Sequence, residues 1–176
     1  MTAAETIGEM FAGPGARDHL GEPVPIGEHM LQAGALAEAA GAEGAVVAAA
    51  LLHDIGHLLG EDEDEDEDRH GEAGANWLSQ WFGAAVTEPV RLHVPAKRYL
   101  CAADAEYFRL LSAESARTLS LQDGPMNAAE AAAFEALPFF RDAVAVRRWD
   151  DQAKDPAVTA PRFAHFAPLL EALVRN

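Results

Sequence analysis

The sequence has 176 residues, the length of one ordinary domain, and 49% of them are hydrophobic against 24% charged, which excludes a disordered tail or a fibre. The formal net charge of −16 argues against a nucleic-acid partner, because such binding depends on cationic attraction to phosphates. Cys101 is the only cysteine, so an internal disulfide and a thiolate metal cluster are excluded. We expect a single domain over residues 1–176.

The sequence also predicts a cytoplasmic location without membrane contact. No segment approaches the roughly 18 uninterrupted apolar residues of a membrane span, and residues 1–15 lack the basic, apolar and small-residue pattern of a signal peptide.

An all-α fold is predicted from the residue pattern. Alanine recurs throughout, isoleucine occurs only at positions 7, 26 and 55, and few segments alternate with period two. We predict helices over residues 27–42, 45–59, 70–82, 87–101, 104–107, 113–119, 127–137, 138–154 and 161–174. Pro95 should kink the helix over 87–101, because proline lacks the backbone N–H that a helix interior needs.

Eight consecutive acidic residues form a tract at positions 61–68. Like charges at this density repel one another and cannot contribute to a core. We interpret the tract as a solvated acidic loop between helices and assign it no function.

A His53–Asp54 pair interrupts a run that is otherwise almost wholly apolar. Burying an imidazole beside a carboxylate is unfavourable unless something cationic pairs with both, so the pair indicates a metal ion. Adjacent side chains on a helix point about 100° apart. One oxygen of Asp54 can therefore reach the ion that His53 binds while the other reaches a second ion, which makes Asp54 the candidate bridging ligand.

Further candidate ligands lie on separate predicted helices: His29, His70, His93 and Asp150. Each lone histidine is by itself more often a core residue than a ligand. Together, four histidines and two aspartates form a mixed nitrogen and oxygen donor set for two first-row metals, which favours iron or manganese and also accommodates zinc. The spacing leaves the identity of the metal open.

This order of ligands, with LLHDIGH around the His-Asp pair, resembles the HD-domain superfamily of helical metal-dependent phosphohydrolases and a smaller set of diiron oxygenases. The segments 92–101, 119–126 and 147–151 resemble the PhnZ-type organophosphonate oxygenases, and the likeness runs from about residue 21 to residue 154. The resemblance implies an HD-domain helical bundle with its core over these residues.

The resemblance further implies an oxygenase that cleaves a carbon–phosphorus bond with dioxygen as co-substrate. A mixed-valent Fe(II)/Fe(III) pair would act on a 1-hydroxy-2-aminoethylphosphonate-type substrate and release phosphate and glycine, or an N-methylated analogue. By the family pattern, one iron takes His29, His53, Asp54 and Asp150, and the other takes Asp54, His70 and His93. A separate phosphonate hydroxylase would supply the substrate. The alternative is an HD-superfamily phosphohydrolase acting on a phosphate ester.

Other residues are assigned to the substrate by the same resemblance. Phosphonate contacts fall to Lys97, Arg147, Ser115 and Thr118, and Glu22 would recognise the substrate amine. His57, which the predicted helix over 45–59 places one turn after His53, would join Asp54 as a catalytic residue and also contact the substrate. Lys97 follows His93 by four residues and Arg147 precedes Asp150 by three, so each can share a helix face with a ligand.

One departure from the family concerns His19, which stands where a tyrosine that can ligate iron is usual. Imidazole also ligates iron. Our hypothesis is that His19 occupies an open coordination position until the substrate displaces it.

Overall fold

The computed structural model describes residues 1–60 and 69–175, and within them the chain forms ten α-helices and no strand. The all-α prediction is confirmed. The helices are α1 (Ala3–Ala12), α2 (Ile26–Ala39), α3 (Gly44–Leu52), α4 (His70–Leu78), α5 (Ala84–Ala103), α6 (Ala105–Leu110), α7 (Ala113–Leu121), α8 (Ala128–Glu135), α9 (Phe140–Gln152) and α10 (Phe163–Leu173). Short 3₁₀ helices cover Gly15–Arg17 and Ile55–Leu58. The predicted acidic loop at 61–68 lies outside the described residues.

No helix in the described part of the chain combines the length and the apolar character needed to cross a membrane.

The prediction of one helix over 45–59 is wrong, because α3 ends at Leu52 and a 3₁₀ turn follows. Asp54 leaves the helical region with φ −103° and ψ 12°. Gly56 lies so close to the backbone of His70 that a Cβ would stand 2.1 Å from its carbonyl oxygen. This approach, which glycine alone permits, brings the start of α4 against the 3₁₀ helix that follows α3.

The hydrophobic core surrounds α3, whose residues Val46 to Leu52 are all buried. Helices α2, α5, α9 and α10 pack against it. Small side chains allow this close packing: a Cβ on Gly34 of α2 would lie 3.1 Å from the Cβ of Leu51.

Both terminal helices contribute to the same core. Ile7 of α1 and Phe166 and Leu170 of α10 are fully or almost fully buried in it. Burying one such side chain stabilises the fold by about 1.5–3 kcal/mol before its entropy loss is counted. The sequence pattern predicts α10 but not α1.

Candidate active site

The six predicted ligands converge from five parts of the fold. His29 lies on α2, His53 and Asp54 follow the end of α3, His70 begins α4, His93 lies within α5, and Asp150 lies on α9. Five of these residues are buried and His70 is half-buried.

The first ligand set surrounds Oδ2 of Asp54. This oxygen lies 3.2 Å from Nε2 of His53 and 3.4 Å from Nε2 of His29. The two imidazole Nε2 atoms are 3.0 Å apart. Oδ1 of Asp150 completes the set at 3.4 Å from Nε2 of His29 and 3.9 Å from Nε2 of His53.

The second set surrounds the other oxygen of the same carboxylate. Oδ1 of Asp54 lies 3.3 Å from Nε2 of His70 and 3.3 Å from Nε2 of His93. These two nitrogens are 3.0 Å apart. Asp54 therefore presents one oxygen to each set, as a bridging carboxylate does.

These separations fit two metal ions. Ligand atoms at about 2.1 Å from an octahedral ion are about 3.0 Å from their neighbours in adjacent positions. The nitrogen–nitrogen and nitrogen–oxygen distances within the two sets are 3.0 Å or longer, as this geometry requires. Imidazole and carboxylate donors together suit iron, manganese or zinc.

Three of the imidazoles are fixed in the tautomer that a metal ligand needs. Nδ1 of His29, His53 and His93 lies 2.9, 2.8 and 2.6 Å from the carbonyl oxygens of Ala153, Ala50 and Val90, respectively. A carbonyl oxygen can only accept, so each Nδ1 carries a proton, and a ring whose Nε2 gives up any second proton to a metal ion turns that lone pair toward the cluster. Lone pairs this close repel one another unless a cation lies among them.

The electrostatics of the first set also favour positive charge. Burial alone lowers the pKa of His29, yet hydrogen bonds to Asp150 and Asp54 raise it to about 10. Burial works to raise the pKa of Asp54, but the neighbouring imidazoles hold it well below its usual range. Burial likewise works to raise the pKa of Asp150, but Arg147 and His29 hold it well below its usual range, so both carboxylates are ionised and attract a cation.

A cavity of about 1180 Å³ opens beside the ligands and is lined by most of the predicted substrate residues. Lys97 and Arg147 reach it with only 3% and 5% of their surfaces exposed. Nζ of Lys97 donates to Oγ1 of Thr118 at 2.7 Å, and Nη2 of Arg147 donates to Oγ of Ser115 at 3.2 Å. The cavity therefore has a cationic, hydroxyl-bearing wall, which suits an oxyanion.

Arg147 also holds the ligand Asp150. Its Nη1 lies 2.9 Å from Oδ2 of that carboxylate, while its Nε donates to Oη of Tyr107 at 3.1 Å. Asp151 pairs with the same guanidinium and accepts a short hydrogen bond from Tyr107. The guanidinium thus links the candidate ligand Asp150 to the cavity wall.

The sequence predicts His57 one α-helical turn after His53. In the structure, His57 lies instead on the 3₁₀ helix. It is an exposed residue that borders the cavity, and its ring stacks on His70 with centroids 4.1 Å apart. The surrounding protein disfavours the charged ring and, with the positive charge of His70, lowers the pKa of His57.

Glu22 and His19 lie on a turn that borders the same cavity. Nδ1 of His19 is 3.1 Å from the carbonyl oxygen of Glu22, and the side chain is exposed. His19 lies outside the three groups of candidate ligands found among the described residues.

Two residues at the site were not found from the sequence. Nζ of Lys154 lies 2.7 Å from Oε1 of Glu22 and 3.1 Å from Oγ of Ser115. Ser112, the N-cap residue of α7, donates to the same Glu22 oxygen at 2.7 Å. The sequence signal that could have identified Lys154 is its spacing of four residues from Asp150.

Comparison with known proteins identifies the family. Residues 26–123, more than half of the chain, match the family model described as HD domain. That span contains five of the six predicted ligands, while Asp150 and the further candidate His19 lie outside it. The chain belongs to the HD-domain family. The His53–Asp54 pair, from which the two ligand sets extend, lies within the HD-domain match.

Two relatives are similar over most of this HD-domain chain. The 1-hydroxy-2-(trimethylamino)ethylphosphonate dioxygenase (glycine-betaine-forming) of Leisingera caerulea is 46% identical over 97% of this chain and 89% of its own length. The hydroxymethylphosphonate dioxygenase of Gimesia maris is 46% identical over 85% of this chain and 77% of its own. These relatives confirm the resemblance to the PhnZ-type oxygenases and favour the oxygenase interpretation over the phosphohydrolase alternative.

Proposed function

We propose that this protein uses dioxygen to cleave the carbon–phosphorus bond of a 1-hydroxy-2-aminoethylphosphonate-type substrate, releasing phosphate and glycine or an N-methylated glycine. The observation that carries the proposal is the pair of ligand sets sharing Asp54 beside a wall of buried cations. The names of both relatives describe phosphonates with a hydroxyl on the carbon that bears phosphorus.

We assign the two ligand sets to a mixed-valent iron pair. His29, His53 and Asp150 would hold one iron, His70 and His93 the other, and Asp54 both. When bound, this pair supplies dioxygen activation and takes up electrons from the substrate. The chain keeps the Nε2 lone pairs and both carboxylates directed at these positions through its buried hydrogen bonds.

Lys97 and Arg147 bind the phosphonate in this proposal, and the hydroxyls of Ser115 and Thr118 orient it. Both cations are buried, so their attraction to an anion is little screened by water. Because Arg147 also binds Asp150, it fixes the phosphonate relative to the metal ligands. Such fixed geometry is the main contribution a protein makes to a cofactor reaction.

His57, Glu22 and His19 complete the proposed site. The lowered pKa of His57 keeps its ring neutral, so it offers one hydrogen-bond acceptor beside Asp54 without adding positive charge. Glu22 receives the substrate ammonium. His19, with Nδ1 near the Glu22 carbonyl, would use Nε2 to ligate iron until substrate arrives.

We further propose that the enzyme acts in the cytoplasm as a single domain. A separate phosphonate hydroxylase would install the hydroxyl on the substrate carbon before this enzyme acts.

The experiment that tests the proposed function is phosphate release from (R)-2-amino-1-hydroxyethylphosphonate by iron-loaded protein, in parallel with and without dioxygen. We expect release only with dioxygen, together with glycine. Zinc-loaded protein serves as the control and should release none. Phosphate release from phosphate esters without dioxygen would instead identify a phosphohydrolase.

A further inference from the structure

Lys154 brings a third cation to the phosphonate wall. Its side chain is only 13% exposed, and it lines the cavity two residues beyond the end of α9. Oγ of Ser115 lies 3.1 Å from Nζ of Lys154 and 3.2 Å from Nη2 of Arg147. One hydroxyl thus joins Lys154 to a cation that we assign to the phosphonate.

The nearer of the two carboxylates that Lys154 faces belongs to Glu22 and is only 16% exposed, whereas Oδ1 of Asp150 lies 3.9 Å from Nζ of Lys154. Glu22 follows Leu20 and Gly21, which have φ of 45° and 80°. The left-handed conformation is unfavourable for leucine. Contacts from Lys154 and from Ser112 to Oε1 of Glu22, both of 2.7 Å, hold the carboxylate beside the cavity.

This ion pair matches the two ends of the proposed substrate. The Glu22 carboxylate can bind the substrate ammonium in place of the Lys154 ammonium. The Lys154 ammonium can then bind a phosphonate oxygen in place of the Glu22 carboxylate. Breaking a poorly hydrated pair is unfavourable unless both members find new partners. A ligand with both charges provides them, whereas a purely anionic ligand leaves the carboxylate of Glu22 with the Ser112 hydroxyl but without a cation.

We propose that Lys154 and Glu22 form an exchangeable ion pair that selects zwitterionic phosphonates: the substrate phosphonate takes Lys154, and the substrate ammonium takes Glu22. Lys154 is then a specificity-determining residue that touches the substrate. This inference rests on the proposed function and adds the charge pattern that the site requires.

The test is anaerobic calorimetry on iron-loaded protein, which measures binding without turnover. The probes are (R)-2-amino-1-hydroxyethylphosphonate and 1-hydroxypropylphosphonate, which carries a methyl group in place of the ammonium. The variants are Glu22→Gln, Lys154→Met and their combination. Arg148→Met, on the exposed side of α9, is the matched control and should bind as the wild type does.

Glu22→Gln releases Lys154 for the phosphonate. We therefore expect this variant to bind the methyl probe about 3- to 10-fold more tightly and the amino probe about tenfold more weakly. Adding Lys154→Met to Glu22→Gln should weaken both probes about tenfold, because the phosphonate then loses one charge-assisted hydrogen bond. Circular dichroism and iron content establish that each variant is folded and loaded. Lys154→Arg should restore the probe affinity that Lys154→Met removes.

If Lys154 and Glu22 form a fixed structural pair, the affinities of the two probes should change in a different way. If Glu22→Gln does not tighten the methyl probe, or if Lys154→Met has no effect in the Glu22→Gln background, the exchange is overturned while the proposed function stands. If wild-type protein binds neither probe, the proposed function fails and the exchange fails with it.

Discussion

Replacing Lys97 by methionine should weaken substrate binding and, at the same time, stabilise the fold. Burial and the positive charge of Arg147 lower the pKa of Lys97 from 10.5 to about 8. Methionine keeps most of the aliphatic stem and removes the charge. The two expected effects have opposite signs, so a simple loss of structure cannot produce both.

The stability effect follows from the lowered pKa. A change from 10.5 to about 8 means that folding disfavours the charged lysine by about 3 kcal/mol at neutral pH. Losing the hydrogen bond to Thr118 destabilises the variant by about 1 kcal/mol. The net gain of about 2 kcal/mol should raise Tm by roughly 4–8 °C. The charge of Lys97 has its full cost to folding below about pH 8, and this cost falls to zero as pH rises toward 10.5. The Tm difference between Lys97→Met and the wild type should therefore narrow between about pH 7 and about pH 9.5.

The binding effect follows from the loss of one charge-assisted hydrogen bond. Such bonds contribute about 1.5–3 kcal/mol, so KM for the hydroxyphosphonate should rise roughly 10- to 100-fold. Calorimetric melting and steady-state phosphate release on the same iron-loaded samples measure both quantities. A lower Tm for Lys97→Met would refute the assignment of a destabilising buried charge, and an unchanged KM would refute the assignment to the phosphonate.

Three further predictions concern the ligands, the arginine and pH. Asp54→Ala should reduce iron from two ions per chain to none, because each oxygen of Asp54 faces a separate ligand set; elemental analysis that finds two ions in the variant contradicts the bridging assignment. Arg147→Met should lower the free energy of unfolding by about 3–5 kcal/mol, since it leaves Asp150 and Asp151 without their buried partner; a loss below 1 kcal/mol in denaturant titration would show that the pair is not structurally important. In the wild type, KM should rise as pH increases through about 8, where Lys97 loses its proton; the same rise in Lys97→Met would assign it to another group.

The His53–Asp54 pair could be found from the sequence because it interrupts an apolar run. Such a pair requires a cationic partner, and His29 and Asp150 are then the remaining candidate donors of one set. Their distances to Asp54 depend on how the helices pack, which local patterns do not specify.

The break after Leu52 is a tertiary effect and could not be found locally. Propensity favours continuing α3 through the apolar run, but the close contact of Gly56 with the His70 backbone requires a turn. Helix α1, by contrast, carried a local signal: Thr2 and Glu5 form a capping box, and this spacing marks the start of a helix.

The hydrogen-bond partners of the site were the least predictable part. Lys154 lies beyond the end of α9, and its contact with Glu22 joins residues 132 positions apart. A charge near a predicted ligand is usually a solvated surface charge, so only the packed structure identifies Lys154 as a cavity residue. The prediction of a single domain stays a prediction.

The most direct test of the central claim is to measure dioxygen uptake, phosphate and glycine in one reaction of iron-loaded protein with (R)-2-amino-1-hydroxyethylphosphonate. Adding one dioxygen to this substrate balances one glycine and one phosphate, so the account predicts equal amounts of all three. Phosphate formed without dioxygen uptake, or dioxygen consumed without glycine, would contradict it.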